Sequence, residues 1–293
     1  MKAIIICDLH ITDKWLNECS AIMDEILSYK VDQWISAGDF LDKHSPSWTE
    51  LIFASQYLPK VRQLVVGNHE RVLGISTLDC FKPFGLNVAD QIVIEDKGYK
   101  CLVAHFFTDA TYNYDKIKVN LDNLPKYNHI ILGHNHNYQV IKGTDKNPIA
   151  LHPGSCRYES HAEEAQPCKF ITEIDTIKQS LKLIPLKSPI PMKSFSTLKE
   201  LLAIPKNTKV RWLVNDWNTY KKEVTEIGKL GLEYADFKVD WTKSLKEEKS
   251  KKEIKGKAEG VSMNVFLNEQ LSSIKDDEVK KMLESGFKEE GLI

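Results

Sequence analysis

Over residues 1–186, short apolar runs alternate with stretches of helical period. Residues 3–7, 33–37 and 63–66 are β-rich apolar runs, and residues 15–29 and 48–58 space their apolar side chains as amphipathic helices do. This βαβαβ rhythm then gives way to predicted strands at 91–94, 100–104, 129–132, 149–152, 170–174 and 181–186, separated by Gly, Asn, Asp and Pro turns. A layered α/β sandwich is the expected fold class.

Pro185, Pro189 and Pro191 cluster where the strands end, which places a domain boundary near residue 187. Residues 196–202 and 219–230 then read as helices and 209–214 and 234–239 as strands, enough for a small α/β domain over 187–242. Residues 243–260 are poor in apolar side chains and read as a solvated linker. Beyond them Val261, Val265, Phe266, Val279, Met282, Leu283 and Phe287 recur at helical spacing, so the expected third part, 243–293, is a linker with a helical tail. Two short helices bury little apolar area against each other, and the groove of a partner is the expected sink for these stripes.

Composition narrows the function without choosing it. No apolar run approaches the ~18 residues of a membrane span, and the apolar start at 3–7 is too short for a signal peptide, so a cytoplasmic protein is expected. The six cysteines contain no C-x-x-C pair, which argues against a zinc ribbon or redox motif and for reduced packing thiols. The net charge is −1, with −4 on residues 1–186 and +3 on residues 187–293. Such a field does not draw in nucleic acid unaided; polyanion binding would have to come from local patches, metal ions or a partner.

The candidate chemistry sits at predicted strand ends. Asp8 and His10 follow the first strand, Gly38-Asp39-Phe40-Leu41-Asp42 the second and Gly67-Asn68-His69-Glu70 the third; His105 and Gly133-His134-Asn135-His136 end two later ones. Side chains at the carboxyl ends of neighbouring strands converge on one crevice in an α/β sheet. Any one of these residues alone is an ordinary turn Asp, capping Asn or core His. Eight metal-competent or catalytic groups in this order are a site. Carboxylate and amide oxygens mixed with imidazoles suit Mn, Fe or Zn.

This ordered set resembles the calcineurin-like metallophosphoesterase family, whose pattern D-x-H, G-D-x-x-D, G-N-H-[DE], a later His and G-H-x-H it matches over roughly the first 160 residues. The resemblance implies an αββα sandwich with two divalent ions, manganese foremost. It implies that Asp8, His10 and His136 hold one ion, that Asn68, His105 and His134 hold the other, that Asp39 bridges them, and that His69 faces the substrate as the catalytic group. Protein phosphatases of this fold continue G-D-x-V-D-R-G, whereas Lys43 follows Asp42 here. The stretch 38–46 and the segment His152-Pro153-Gly154-Ser155-Cys156-Arg157 are similar to the SbcD-type nucleases, relatives of the meiotic recombination eleven nuclease. That likeness implies a DNA exonuclease with endonuclease capacity, serving DNA repair and recombination in a bacterium or phage-infected host. It further implies a small capping domain at 187–242, an SMC-like ATPase of the SbcC type bound through residues 261–287, and compatibility with a homodimer. Two alternatives stay open: a stand-alone nucleotide or cyclic-nucleotide phosphodiesterase, and a scaffold that tethers an ATPase to DNA ends.

Overall fold

The computed structural model describes residues 1–107 and 120–241. The linker and tail expected at 243–293, with the partner-binding segment 261–287, lie outside the described residues. The strands in chain order are β1 (Lys2–Ile6), β2 (Gln33–Ser36), β3 (Gln63–Val65), β4 (Arg71–Val72), β5 (Ile75–Ser76), β6 (Asn87–Ala89), β7 (Gln91–Asp96) and β8 (Tyr99–His105). They continue with β9 (His129–Gly133), β10 (Gln139–Thr144), β11 (Asn147–His152), β12 (Phe170–Asp175), β13 (Ser180–Pro185), β14 (Met192–Phe195), β15 (Lys209–Val214) and β16 (Asp236–Trp241). The helices are α1 (Leu16–Leu27), α2 (Trp48–Tyr57), α3 (Leu198–Leu202) and α4 (Trp217–Gly231).

Two sheets carry the expected α/β sandwich. The first runs β13-β12-β1-β2-β3-β6 and the second β10-β11-β9-β8-β7. Pairing from β1 through β2 and β3 to β6 is parallel, as is β8 with β9, so these strands bring their carboxyl ends to a common edge within each sheet. Alternation along β1 explains its unbroken apolar run. Ile4 and Ile6 pack against α1 and α2, while Ala3, Ile5 and Cys7 pack with Ile94, Cys101, Val103 and Ile131 of the second sheet. Along β8, Leu102 and Ala104 face outward onto Phe106, Leu121 and Leu124. Both faces are buried, which is why the strands read as continuous apolar segments.

Helix α1 buries Cys19, Ile22, Met23 and Ile26, a stripe at spacings of three and four. Helix α2 is started by a capping box: Ser47 accepts from the Glu50 N–H, and Glu50 reaches back to the Ser47 N–H. Five strands, β4, β5, β6, β10 and β14, escape the sequence pattern. β4 and β5 are two residues each, turned at Leu73 and Gly74 with φ of 50° and 82°, β6 has three residues, and β10 is largely polar with a register shift between Val140 and Lys142. β14 begins directly after Pro191, at the end of the proline cluster that marks the expected boundary.

The chain divides into two compact units. One joins Met1–Ser194 with Ile204–Arg211 and Gly231–Phe237, and it contains every candidate site residue. The other includes Phe195–Ala203 and Trp212–Leu230, held by rings in series: Phe195 on Trp212 at 6.5 Å, Trp212 on Tyr220 at 5.3 Å, and Tyr220 on Trp241 at 4.7 Å between centroids.

Three glycines close the strand ends on each other. A Cβ at Gly67 would overlap Asp39 Oδ1 and the Asp39 N–H, and one at Gly133 would overlap the Ala37 carbonyl and His105 Nδ1. Gly38 stands at φ 98° with the His105 ring where its Cβ would go. Gly67→Ala should therefore lower the free energy of unfolding by about 1–3 kcal/mol through overpacking. Gly228→Ala, in α4 with nothing within 4 Å of the added carbon, should raise it by about 0.5–1 kcal/mol. Urea unfolding midpoints of the two variants check the pair; equal effects would show that the strand ends have room for the added carbon.

Candidate metal centre

The eight residues expected at strand ends do meet. His10 Nε2 lies 3.1 Å from His136 Nε2 and 3.9 Å from Asp39 Oδ2. His105 Nε2 lies 3.1 Å from that same Asp39 oxygen and 2.9 Å from Asn68 Oδ1. The His134 N–H donates to both oxygens of Asp8, at 2.8 and 3.1 Å, and the His105 and His134 rings stand 4.9 Å apart. His69 packs edge-on to His10 at 4.7 Å, and its N–H donates to Asp39 Oδ1 at 2.9 Å.

Among the described residues, three groups have donor atoms within 4.8 Å of one another: Asp8, His10 and His136; Asp39, His105 and His134; and His10, Asp42 and His69. The last adds Asp42, which the sequence motif contains but to which the resemblance assigns no role.

The backbone is bent to achieve this. Asp8, His10, Asp39 and His134 all have φ between 47° and 81°, the left-handed region that costs a non-glycine residue about 1–3 kcal/mol where it is strained. Hydrogen bonds across the strand ends hold it there: the Asp8 N–H on the Gly38 carbonyl at 3.2 Å, and the His10 N–H on the Asp39 carbonyl at 3.0 Å.

Charge is arranged around the same points. Burial opposes ionisation of Asp39, but His105, His10 and His69 overcome it and hold its carboxyl below the usual range. Burial likewise disfavours charge on His105, yet Asp39 and Asp8 raise its pKa to about 9. Glu70 is fully buried, which pushes its pKa up to about 7 although the Gly67 and Leu41 N–H groups both donate to it. His152, also buried, is lowered to about 4 and donates from Nδ1 to the Leu132 and Gly133 carbonyls.

The residues fit a divalent cation. Asp39 Oδ2 is sealed from solvent and has ion-pair contacts with His105 and His10 without hydrogen-bond alignment, and two imidazole Nε2 atoms face each other at 3.1 Å, a spacing that one cation between them would suit. Each of three ring donors is held from behind. His105 Nδ1 donates to the Ala37 carbonyl at 2.9 Å, His10 Nδ1 stands 3.2 Å from Asp42 Oδ1 without hydrogen-bond alignment, and His136 Nδ1 stands 3.5 Å from Glu163 Oε1. That arrangement turns Nε2 of each into the centre.

Sequence reasoning missed the supports. Arg157, 1% exposed, donates to the Leu9 and His10 carbonyls, both at 3.0 Å, and pairs with Glu18 and Glu159. Glu18 also accepts from buried Lys209 at 2.7 Å. Lys169 pairs with Glu163 and donates to the His136 carbonyl at 3.1 Å. Arg157 adjoins the P-G-S segment and could have been singled out from it; Glu163 and Lys169 carry no local signal.

A family model of the calcineurin-like phosphoesterase superfamily domain matches residues 1–176. None of the curated proteins matches the chain. Among solved structures, the chain is similar to a metallophosphoesterase from Sphaerobacter thermophilus at 12% identity, covering 64% of this chain and 89% of that one with a TM-score of 0.37. It is similar to the phosphoesterase YfcE of E. coli at 12% identity, 64% and 100% coverage and a TM-score of 0.38. It is also similar to a single mutant of Vps29 from Entamoeba histolytica at 16% identity, 64% and 98% coverage and a TM-score of 0.39. With the family model spanning more than half of its length, the chain belongs to the calcineurin-like phosphoesterase superfamily.

Proposed function

We propose that this phosphoesterase is a metal-dependent phosphodiesterase that cleaves DNA strands. The observation that carries the reading is that each of the chain's guanidinium groups already has a protein partner, so that none is set apart to grip a phosphomonoester. The chain has four arginines. Arg62 donates to the Pro59 carbonyl, Arg71 pairs with Asp90, Arg157 is buried under Leu9 and His10, and Arg211 donates to Ser194. A dianionic monoester is well gripped by a bidentate guanidinium; a singly charged diester needs less.

Asp8, His10 and His136 would hold one divalent ion and Asn68, His105 and His134 the other, with Asp39 between them and manganese as the expected metal. Bound there, the ions would activate a water molecule and neutralise charge building on the phosphoryl oxygens. The protein's own part is orientation and proton transfer. Asp39 Oδ1 accepts from the His69 N–H, and His69 Nδ1 donates to the Asp42 carbonyl at 2.6 Å. The Asp42 carbonyl thereby fixes the exposed ring, which as an imidazolium can hand a proton to the departing alkoxide. The partner proposal rests on sequence pattern: residues 261–287 would engage an SMC-like ATPase, which would supply the basic surface that a net charge of −1 does not.

The test is purified protein with Mn(II) on end-labelled single- and double-stranded DNA, beside a chromogenic phosphodiester and the matching monoester. DNA and the diester should be cleaved and the monoester spared. Rapid monoester turnover would overturn the diesterase reading, and diester turnover with DNA untouched would favour a nucleotide phosphodiesterase.

His69→Ala should keep its metal and lose activity by about 10²- to 10⁴-fold, the usual worth of a positioned acid. Asp39→Ala should lose metal as well. Metal content and rate measured on both variants separate the roles, and loss of metal in both would reassign His69. Chelation should lower the thermal midpoint of the wild type, because an ion at a hundred times its dissociation constant stabilises the folded state by about 2.7 kcal/mol; calorimetry with and without EDTA reads the difference.

A further inference from the structure

One segment, residues 155–169, holds both histidines of one half of the centre, at the backbone of each and at the ring of His136, and does so with buried charge. Arg157 reaches under the left-handed turn of Asp8 and His10, φ 49° and 48°, and donates from Nε to the Leu9 carbonyl and from a terminal nitrogen to the His10 carbonyl. The planar fork of a guanidinium spans two adjacent carbonyls; an ammonium does not. Twelve residues on, Lys169 donates to the His136 carbonyl and to Ser155 Oγ at 3.0 Å, and it pairs with Glu163 Oε2. The other oxygen of Glu163 accepts from the Ser160 N–H at 2.9 Å and stands 3.5 Å from His136 Nδ1. His136 is therefore held at its backbone by Lys169 and at its ring by Glu163.

Stability alone is a poor reason for such a network. Buried ion pairs rarely outdo apolar packing of the same volume, because desolvation cancels much of their attraction. What the three groups do share is their target. Their contacts converge on His10 and His136, the two imidazoles whose Nε2 atoms face each other at 3.1 Å.

We propose that Arg157, Glu163 and Lys169 form a clamp that sets one half of the centre, the half of Asp8, His10 and His136, and are positioning residues for a single metal ion. The proposal rests on the two-ion reading above. It assigns the clamp no contact with substrate; it acts by fixing where His10 and His136 place Nε2.

The experiment is calorimetric titration of Mn(II) into metal-stripped, full-length protein, for the wild type and for Glu163→Gln, Glu163→Asp and Arg157→Lys. The wild type should bind two ions; binding of none or one defeats the two-ion reading itself. With two bound, Glu163→Gln should weaken one by about 10- to 100-fold and leave the other unchanged, and His136→Ala should remove that same ion and spare the other. Glu163→Asp, which restores the charge, should recover part of the loss. Arg157→Lys should weaken the same ion. Two unchanged affinities, or equal weakening of both, would overturn the clamp. If the substituted proteins do not fold, the wild type decides: with Zn(II) bound and the protein isotope-labelled, the His136 ring resonance, assigned through its own backbone correlations, should show the proton on Nδ1. A proton on Nε2 would overturn the proposal.

Discussion

Convergence is the constraint on which the rest of this domain depends. Carboxylates, an amide and imidazoles from five strand ends are brought within a few ångströms of each other, and a polypeptide does not do this in relaxed conformations. Asp8, His10, Asp39 and His134 accept left-handed backbone, and Gly38, Gly67 and Gly133 give up a side chain so that Asp39 and His105 can occupy the space. The two-sheet core offsets that cost. Ile4, Ile5 and Ile6 are all fully buried, each worth about 1.5–3 kcal/mol, and they anchor the strand that is followed by two left-handed residues, Asp8 and His10.

The centre is legible in the sequence because its parts are local. Each group is a short motif directly after an apolar run, and the run itself marks the strand: residues 3–7 before Asp8, 33–37 before Asp39, 129–132 before His134. Helix α1 is legible for the same reason, since its stripe of Cys19, Ile22, Met23 and Ile26 depends only on spacing. The hairpin of β4 and β5 is not, because its pairing rests on two-residue strands and two positive-φ turn positions rather than on any alternation. Lys169 and Lys209 read in the sequence as ordinary surface charges. Only the fold brings them to Glu163 and Glu18, six and 191 residues away, and buries all four.

Those buried charges also bear on where the functional unit ends. The family match stops at residue 176, past the clamp formed by Arg157, Glu163 and Lys169. Yet Glu18 has two cationic partners, Arg157 at 3.7 Å and Lys209 at 2.7 Å, and the nearer one lies 33 residues beyond that limit. A chain ended at 176 would leave Glu18 facing only the longer contact, and an under-compensated carboxylate in the interior is among the costlier defects a fold can carry. Arg157 would then be shared differently between Glu18, Glu159 and the carbonyls of Leu9 and His10. The compact unit that includes Ile204–Arg211 is therefore the physical domain, and the turn of Asp8 and His10 depends on a lysine that follows His136 by more than 70 residues.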